Sequence, residues 1–140
     1  MTNIRVFSKL AISNAQELFD HVAEKMAPWI EDEAELSTRL MAREKLSSTN
    51  LGQGLAFPHC KLDKLKEFHV GVFVNEMPII FGLPSAVPVD LFVVVVAPSR
   101  QPDAYIKLIG KISQVLKKEL SCQACRHAQE LPNVIEILGV

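Results

Sequence analysis

Cysteine is scarce in this sequence, whose 140 residues include only Cys60, Cys122 and Cys125. So few cysteines are typical of a reducing compartment rather than of a scaffold held by disulfides. The Cys122-x-x-Cys125 pair would need further ligands to hold zinc, which takes four, and no second CxxC or paired histidine follows. We therefore interpret these two cysteines as small helix residues, and we expect neither a metal nor an organic cofactor.

An excess of one charge is also lacking, because 15 basic and 16 acidic residues leave a formal net charge of −1. This balance argues against a broad basic face, so we expect no nucleic-acid partner. Lys61, Lys64 and Lys66 form a small basic cluster, but Asp63 interrupts it. We interpret this cluster as a solvated turn.

Long hydrophobic runs are absent, since the longest is Leu91–Ala97. A helix that crosses a bilayer takes about 20 apolar residues, so we expect no membrane insertion. The first ten residues carry Arg5 and Lys9 and lack the apolar segment of a secretory signal. These features together predict a cytoplasmic protein.

No internal repeat, low-complexity segment or linker divides the chain, so we expect one domain over residues 1–140. The spacing of apolar residues predicts three main helices. They run from an N-cap at Ser13, with Gln16 three residues on, to Pro28; from the acidic residues Glu31–Glu33 to Leu46; and from Asp103 to Leu116, with Ile106, Ile109, Ile112 and Leu116 facing the core. Two short closing helices are predicted at Ser121–Gln129 and Pro132–Leu138.

The middle of the chain is rich in predicted strands. Val89–Val96 is a nearly continuous β-branched run, which is typical of a central strand that is buried on both faces. Further strands are predicted at Leu55–Phe57, Phe68–Asn75 and Ile79–Phe81, and Ser47–Gly54 is predicted to be a loop. Helices on either side of a strand-rich middle indicate an α/β domain with a mixed sheet.

One short segment carries residues suited to chemistry. Gly52 and Gly54 free the backbone for a close approach to a ligand, and N–H groups in such a loop can hold an anion. Pro58 fixes the backbone directly before His59. A neutral imidazole can attack phosphorus, and the resulting P–N bond is reactive enough to pass the group onward. By composition alone, a histidine next to a proline is more often structural, and this Gly-x-Gly is not a dinucleotide fingerprint.

A wider pattern surrounds this segment. Between Ala42 and His59 the chain carries an Arg-Glu pair, a threonine, a Gly-x-Gly-x-Ala and a Pro-His, in that order: Arg43-Glu44, Thr49, Gly52-Gln53-Gly54-Leu55-Ala56 and Pro58-His59. This pattern resembles the active-site region of the type 2 IIA family of the phosphotransferase system, the fructose, mannitol and nitrogen-regulatory type. The likeness covers roughly residues 12 to 138, and as a free-standing domain the chain is most similar to the nitrogen-regulatory branch. The resemblance implies a three-layer α/β fold, with a mixed β-sheet flanked by helices on both faces.

The resemblance also implies roles for particular residues. His59 matches the position that the family phosphorylates, and Arg43 matches the arginine that can clamp the phosphoryl oxygens. Thr49, Gly52 and Gly54 match loop positions that shape the pocket. Two other readings stay open: Arg43 as an exposed helix arginine, and Thr49 as a residue of the turn that ends the helix.

One position departs from the family pattern. The family carries a second histidine at the start of the helix after the central strand, and here the matching residue is Tyr105. A phenol can donate a hydrogen bond to a phosphoryl oxygen, but it cannot act as an acid or base near neutral pH. The tyrosine could therefore slow phosphoryl transfer, redirect it or mark its loss.

Three functions follow from the resemblance. The first is a regulatory phosphocarrier that accepts phosphate from an HPr-type protein and acts on a downstream target according to its phosphorylation state. The second is a sugar-uptake component that passes phosphate to a IIB protein. The third is a binding module that has lost phosphotransfer. A docking surface is expected around His59. Phe57, Met77 and Leu83 are candidates for its rim, and a place in the core is the alternative for each of them.

Overall fold

The computed structural model describes residues 2–52, 54–83 and 86–118. Within these ranges it contains six strands, three α-helices and one turn of 3-10 helix. In chain order these are β1 (Thr2–Leu10), α1 (Ala15–Met26), the 3-10 turn (Ala27–Trp29), α2 (Glu33–Leu46), β2 (Asn50–Gly52), β3 (Leu55–Ala56), β4 (His59–Leu62), β5 (Phe68–Ile79), β6 (Val89–Pro98) and α3 (Pro102–Lys118). The two predicted closing helices lie outside the described residues.

The strands form one mixed sheet in the order β1-β5-β6-β3-β2, and β4 also pairs with β6, further along that strand than β3. Strand β6 runs antiparallel to β5 and parallel to both β3 and β4. The outer pairs are β1 with β5, which is parallel, and β2 with β3, which is antiparallel. The prediction of an α/β fold with a mixed sheet is therefore confirmed, and β6 is its central strand.

Helices cover both faces of the sheet. Side chains alternate along β6, so that Phe92, Val94 and Val96 pack with buried residues of α1 and α2, such as Phe19 and Leu40. On the opposite face, Leu91, Val93 and Val95 pack with Ile112 of α3. All six of these β6 side chains are fully buried. Both faces of such a strand are buried, so no polar residues alternate with the apolar ones, which explains the unbroken apolar run Leu91–Ala97.

Helix α1 begins one residue later than predicted. Asn14, not Ser13, is the N-cap, because its side chain accepts a hydrogen bond of 2.9 Å from the backbone N–H of Glu17. The Glu17 carboxylate in turn accepts the N–H of Ser13. The predicted pairing of Ser13 with Gln16 is therefore wrong, because Asn14 caps the helix and Glu17 binds the N–H of the residue before the cap.

Helix α3 begins at Pro102, one residue before the predicted cap, Asp103. Proline suits the first position of a helix, where its missing N–H would have no partner. Ile109 and Ile112, two of the residues predicted to face the core from α3, do pack on the sheet, together with Leu108. The prediction is wrong for Ile106, which is 68% exposed. The side chain of Leu116 lies outside the described residues. Tyr105 precedes Ile109 and Ile112 at helical spacing, on the same side of the helix.

The structure departs from the predicted strands in four places. Residues 68–79 form a single strand, which continues through the turn predicted at Met77–Pro78. Strand β1 was missed because polar residues interrupt its apolar pattern and it pairs on one side only, with β5. Strand β4 was missed because it is only four residues long and follows directly after Pro58. The loop predicted at Ser47–Gly54 contains the short strand β2.

Candidate functional site

His59 opens β4 beside the central strand. The carbonyl of Pro58 accepts a hydrogen bond of 3.0 Å from the N–H of Val95, which fixes the backbone directly before the histidine. His59 itself pairs with Val95 of β6. The side chain is only 9% exposed. The histidine is therefore held by the most buried strand of the fold.

The ring of His59 has a defined orientation. Its Nδ1 lies 2.9 Å from the carbonyl oxygen of Phe57, and its centroid lies 5.1 Å from that of the Phe57 ring. A carbonyl oxygen can only accept, so Nδ1 must carry the proton. The neutral ring then holds its lone pair on Nε2.

The pKa of His59 is lowered from its ordinary value of 6.5. Desolvation by burial is the main cause, and the charge of Arg43 also lowers it, while the hydrogen bond to Phe57 raises it. The ring is therefore neutral near pH 7. A buried, neutral imidazole with one bare nitrogen is a competent nucleophile.

A cleft of about 390 Å³ lies between α2, β4 and α3. Its lining residues are Arg39, Ala42, Arg43, Leu46, Cys60, Lys61 and Tyr105. Arg43, in the last turn of α2, donates from Nη1 to the carbonyl of Ser47 at 2.9 Å. A guanidinium carries five N–H donors, so this bond occupies one of them and leaves others to meet an anion.

Tyr105 forms the opposite wall of the cleft. Its ring centroid lies 6.1 Å from that of His59, and the two rings are tilted by 54°. Burial is the main cause that raises the pKa of the phenol, to about 12. The hydroxyl therefore stays protonated at neutral pH and remains a hydrogen-bond donor. The residue matched to the family's second histidine does face His59.

Lys61 belongs to this site and was missed. It lies two residues after His59 on β4, so both side chains point to the same side of the strand. Its Nζ lies 5.5 Å above the ring centroid of Tyr105. The prediction of a solvated turn is wrong for this lysine, since the turn comes after β4. Reading β4 as a strand would have placed Lys61 beside the histidine.

The loop residues of the pattern, Thr49, Gly52 and Gly54, stabilise the backbone next to the site. Thr49 is buried and its side chain hydrogen bonds to the carboxylate of Glu44, so the reading of Thr49 as a simple turn residue is incomplete. Gly52 and Gly54 both have φ of +83°, a conformation that favours glycine. The carbonyl of Gly54 accepts the N–H groups of Asp90 and Leu91, which joins this loop to the start of β6.

Neighbouring groups limit the other chemistry of the site. Burial is the main cause that raises the pKa of the Cys60 thiol to about 12, so this thiol is not a nucleophile at neutral pH. Within the described ranges, no cluster of three or more histidine, cysteine or carboxylate side chains could hold a metal ion.

In the same part of the chain, no helix is both long and apolar enough to cross a membrane.

Two of the three rim candidates do not lie on an exposed rim around His59. Phe57 is buried, so it cannot offer a docking surface. Met77 is exposed but lies far from His59 in the sheet. It is two residues from Ile79, which pairs with Val89 of β6, whereas His59 pairs with Val95. Val89 and Val95 are six residues apart, which is about 20 Å in an extended strand. Leu46, which is 83% exposed, lines the cleft itself.

Comparison with known proteins identifies the family. The model for "Phosphoenolpyruvate-dependent sugar phosphotransferase system, EIIA 2" matches residues 1–139. This chain belongs to the EIIA 2 family. The nitrogen regulatory protein of Klebsiella oxytoca is 34% identical over 100 residues, which cover 71% of this chain and 62% of that protein. The chain thus spans about three fifths of the length of this relative.

Solved EIIA structures share the fold. Nitrogen regulatory protein IIA-Ntr from Neisseria meningitidis superposes with a TM-score of 0.83 at 23% identity, covering 97% of this chain and 92% of that one. Mannitol enzyme IIA of Escherichia coli, solved in complex with phosphorylated mannitol enzyme IIB, gives a TM-score of 0.78 at 19% identity, with 99% of both chains covered. These similarities confirm the fold predicted for this EIIA chain.

Proposed function

We propose that this chain is a histidine phosphocarrier of the phosphoenolpyruvate-dependent phosphotransferase system, with Nε2 of His59 as the phosphoryl acceptor. The observation that carries the proposal is the bond from Nδ1 to the carbonyl of Phe57. It leaves the lone pair on Nε2, and the ring centroid of His59 lies 6.1 Å from that of Tyr105, which lines the cleft with Arg43 and Lys61. Membership in the EIIA 2 family supports the assignment.

The proposed step is an in-line displacement. A phosphohistidine of an HPr-type protein presents its phosphoryl group, the lone pair of Nε2 forms the new N–P bond, and the donor nitrogen leaves with the electrons of the old one. The two cations and the phenol hydroxyl stabilise the charge on the transferring oxygens. The proton stays on Nδ1, so His59 later leaves as a neutral imidazole when the group moves on.

The role that we propose is mainly regulatory, with the cytoplasm as the location and residues 1–140 as one functional domain. The relative from K. oxytoca is a nitrogen regulatory protein. A phosphoryl group on His59 places negatively charged oxygens near the exposed Leu46, and so changes what can dock there. The downstream partner is thus a protein that binds one phosphorylation state.

The test is phosphoryl transfer from phosphoenolpyruvate through enzyme I and an HPr-type carrier. Intact mass should show an acid-labile gain of one phosphoryl group. His59→Ala should abolish the gain, while His21→Ala, a change at a half-buried histidine of α1, should preserve it. A folded protein that gains no mass beside a working control protein would refute the carrier function and favour a binding module.

The transport alternative rests on the same phosphorylated form. The E. coli mannitol enzyme IIA was solved with a phosphorylated IIB protein, and its likeness to this chain shows the fold alone. Incubating the phosphorylated chain with fructose- and mannitol-type IIB proteins decides between the two roles. Rapid loss of the phosphoryl group to a IIB protein would favour transport, and its retention would favour regulation.

A further inference from the structure

Glu44 occupies an unusual place at the end of α2, two residues before the helix stops at Leu46. Its Oε2 accepts the backbone N–H of Thr49 at 2.6 Å, and its Oε1 accepts the Thr49 hydroxyl at 2.8 Å. Both carboxylate oxygens therefore hold a single residue. Hydrogen bonds to an ionised acceptor are about twice as strong as neutral ones.

From Thr49 the contacts continue to the histidine. The carbonyl of Thr49 accepts the N–H of Phe57 at 3.1 Å, and the carbonyl of Phe57 accepts Nδ1–H of His59 at 2.9 Å. Thr49 and Phe57 are both buried. Hydrogen bonds thus connect the carboxylate of Glu44 to Thr49, Thr49 to Phe57, and Phe57 to the imidazole ring of His59.

A carboxylate at this position does not serve the helix. The C-terminal end of a helix carries partial negative charge, which disfavours an acidic residue in the last turn. The negative charge of Glu44 therefore interacts unfavourably with the helix dipole, and the two hydrogen bonds from Thr49 offset this unfavourable interaction. Its position is explained by the residue that it holds, not by stabilisation of α2.

We propose that Glu44 is a positioning residue, which acts through Thr49 and Phe57 to hold His59 with its proton on Nδ1 and its lone pair on Nε2. The proposal rests on the function proposed above in treating Nε2 as the acceptor. Without Glu44, the Thr49 backbone loses its anchor and the Phe57 carbonyl can rotate away from Nδ1. The ring would then populate the other tautomer, in which Nε2 carries the proton and cannot attack.

The test compares Glu44→Ala, Glu44→Gln and Thr49→Val with a matched control, Glu24→Ala. Glu24 is an exposed glutamate that lies two residues before the end of α1, as Glu44 does in α2. Long-range ¹H–¹⁵N NMR of the ring reports the tautomer of His59, and the mass assay reports the rate of phosphoryl acceptance. Glutamine can still accept the Thr49 N–H and can donate to its hydroxyl oxygen, so Glu44→Gln should restore the tautomer.

We expect Glu44→Ala to mix the two tautomers and to slow acceptance by about 10- to 100-fold, because small misplacements of a reacting group have effects of that size. Thr49→Val should act in the same direction, and Glu24→Ala should change neither readout. An unchanged tautomer in folded Glu44→Ala would overturn the proposal, as would an equal effect of Glu24→Ala. Thr49→Val still donates its backbone N–H to Oε2, so its effect should be the smaller one. Should Glu44→Ala fail to fold, Glu44→Met decides, because methionine keeps much of the side-chain volume but cannot accept the Thr49 N–H, and an unchanged tautomer there would overturn the proposal.

The two readouts also separate this proposal from the phosphocarrier function. The tautomer is measured without any phosphoryl donor. If the unsubstituted protein accepts no phosphate while Glu44→Ala still mixes the tautomers, the carrier function fails and the positioning role stands. If the protein accepts phosphate normally and Glu44→Ala does so equally fast with one tautomer, the positioning role fails alone.

Discussion

Tyr105→Phe removes one hydroxyl and leaves the rest of the opposite wall in place. The phenylalanine ring can keep the packing against His59, whose centroid is 6.1 Å away, and the contact with Lys61. If the hydroxyl donates to the phosphoryl group, the lost bond is one to a charged acceptor, worth about 1.5–3 kcal/mol. At 1.4 kcal/mol for each factor of ten, phosphoryl acceptance should slow by about 10- to 150-fold.

Rapid-quench mass spectrometry with a phosphorylated HPr-type donor measures this rate, with Tyr105→His as the companion variant. The histidine restores the residue that the family carries at this position. We expect the order histidine or tyrosine above phenylalanine, with thermal unfolding of all three forms as the folding control. A phenylalanine variant as fast as the unsubstituted protein would show that the hydroxyl does not contact the transferred group.

Three further predictions concern charge, anchoring and pH. Arg43→Gln should raise the pKa of His59, since that charge helps to lower it, so the acid loss of phosphoryl acceptance should move to higher pH; an NMR titration that shows no shift would contradict this. Asn75→Ala removes a buried side chain that makes three hydrogen bonds. It should lower the free energy of unfolding in urea by about 2–4 kcal/mol. A decrease below about 0.5 kcal/mol would contradict this prediction. His69 is 5% exposed, and burial lowers its pKa in the folded protein. As pH falls below about 6.5, the unfolded chain therefore takes up a proton before the folded one does, and the free energy of unfolding decreases. His69→Leu should remove part of this decrease, and an equal decrease in both proteins would refute the prediction.

The central part of the fold could be predicted because its sequence signals are strong. Val89–Val96 is apolar except for Asp90 and lies within β6, which pairs on both sides. Strand β1 could not be recognised in the same way, since Asn3, Arg5 and Ser8 interrupt its apolar pattern. Its stability comes from pairing with β5, a contact between residues far apart in sequence. Tertiary pairing of this kind leaves little trace in local composition.

The candidate site divides in a similar way. His59, Arg43 and Tyr105 were predicted from the resemblance. In the structure Arg43 and Tyr105 line one cleft and Tyr105 faces the ring of His59, while the chemical roles of all three stay predictions. Lys61 and Glu44 were not predicted as site residues. The side chain of Lys61 depends on the four-residue strand β4, and Glu44 reaches the histidine only through hydrogen bonds of Thr49 and Phe57. No repeating pattern of apolar residues in the sequence indicates either of these positions.

The two walls of the cleft belong to different halves of the hydrophobic core. Arg43 is carried by α2, which packs on one face of the sheet, and Tyr105 is carried by α3, which packs on the other. The width of the cleft is therefore set by packing on both faces at once. Cavity-forming substitutions at Leu40 and at Ile112 should each displace one wall and leave the other in place. The gap that a phosphoryl group must fill can thus be adjusted from either side of the sheet, independently of the strand that holds His59.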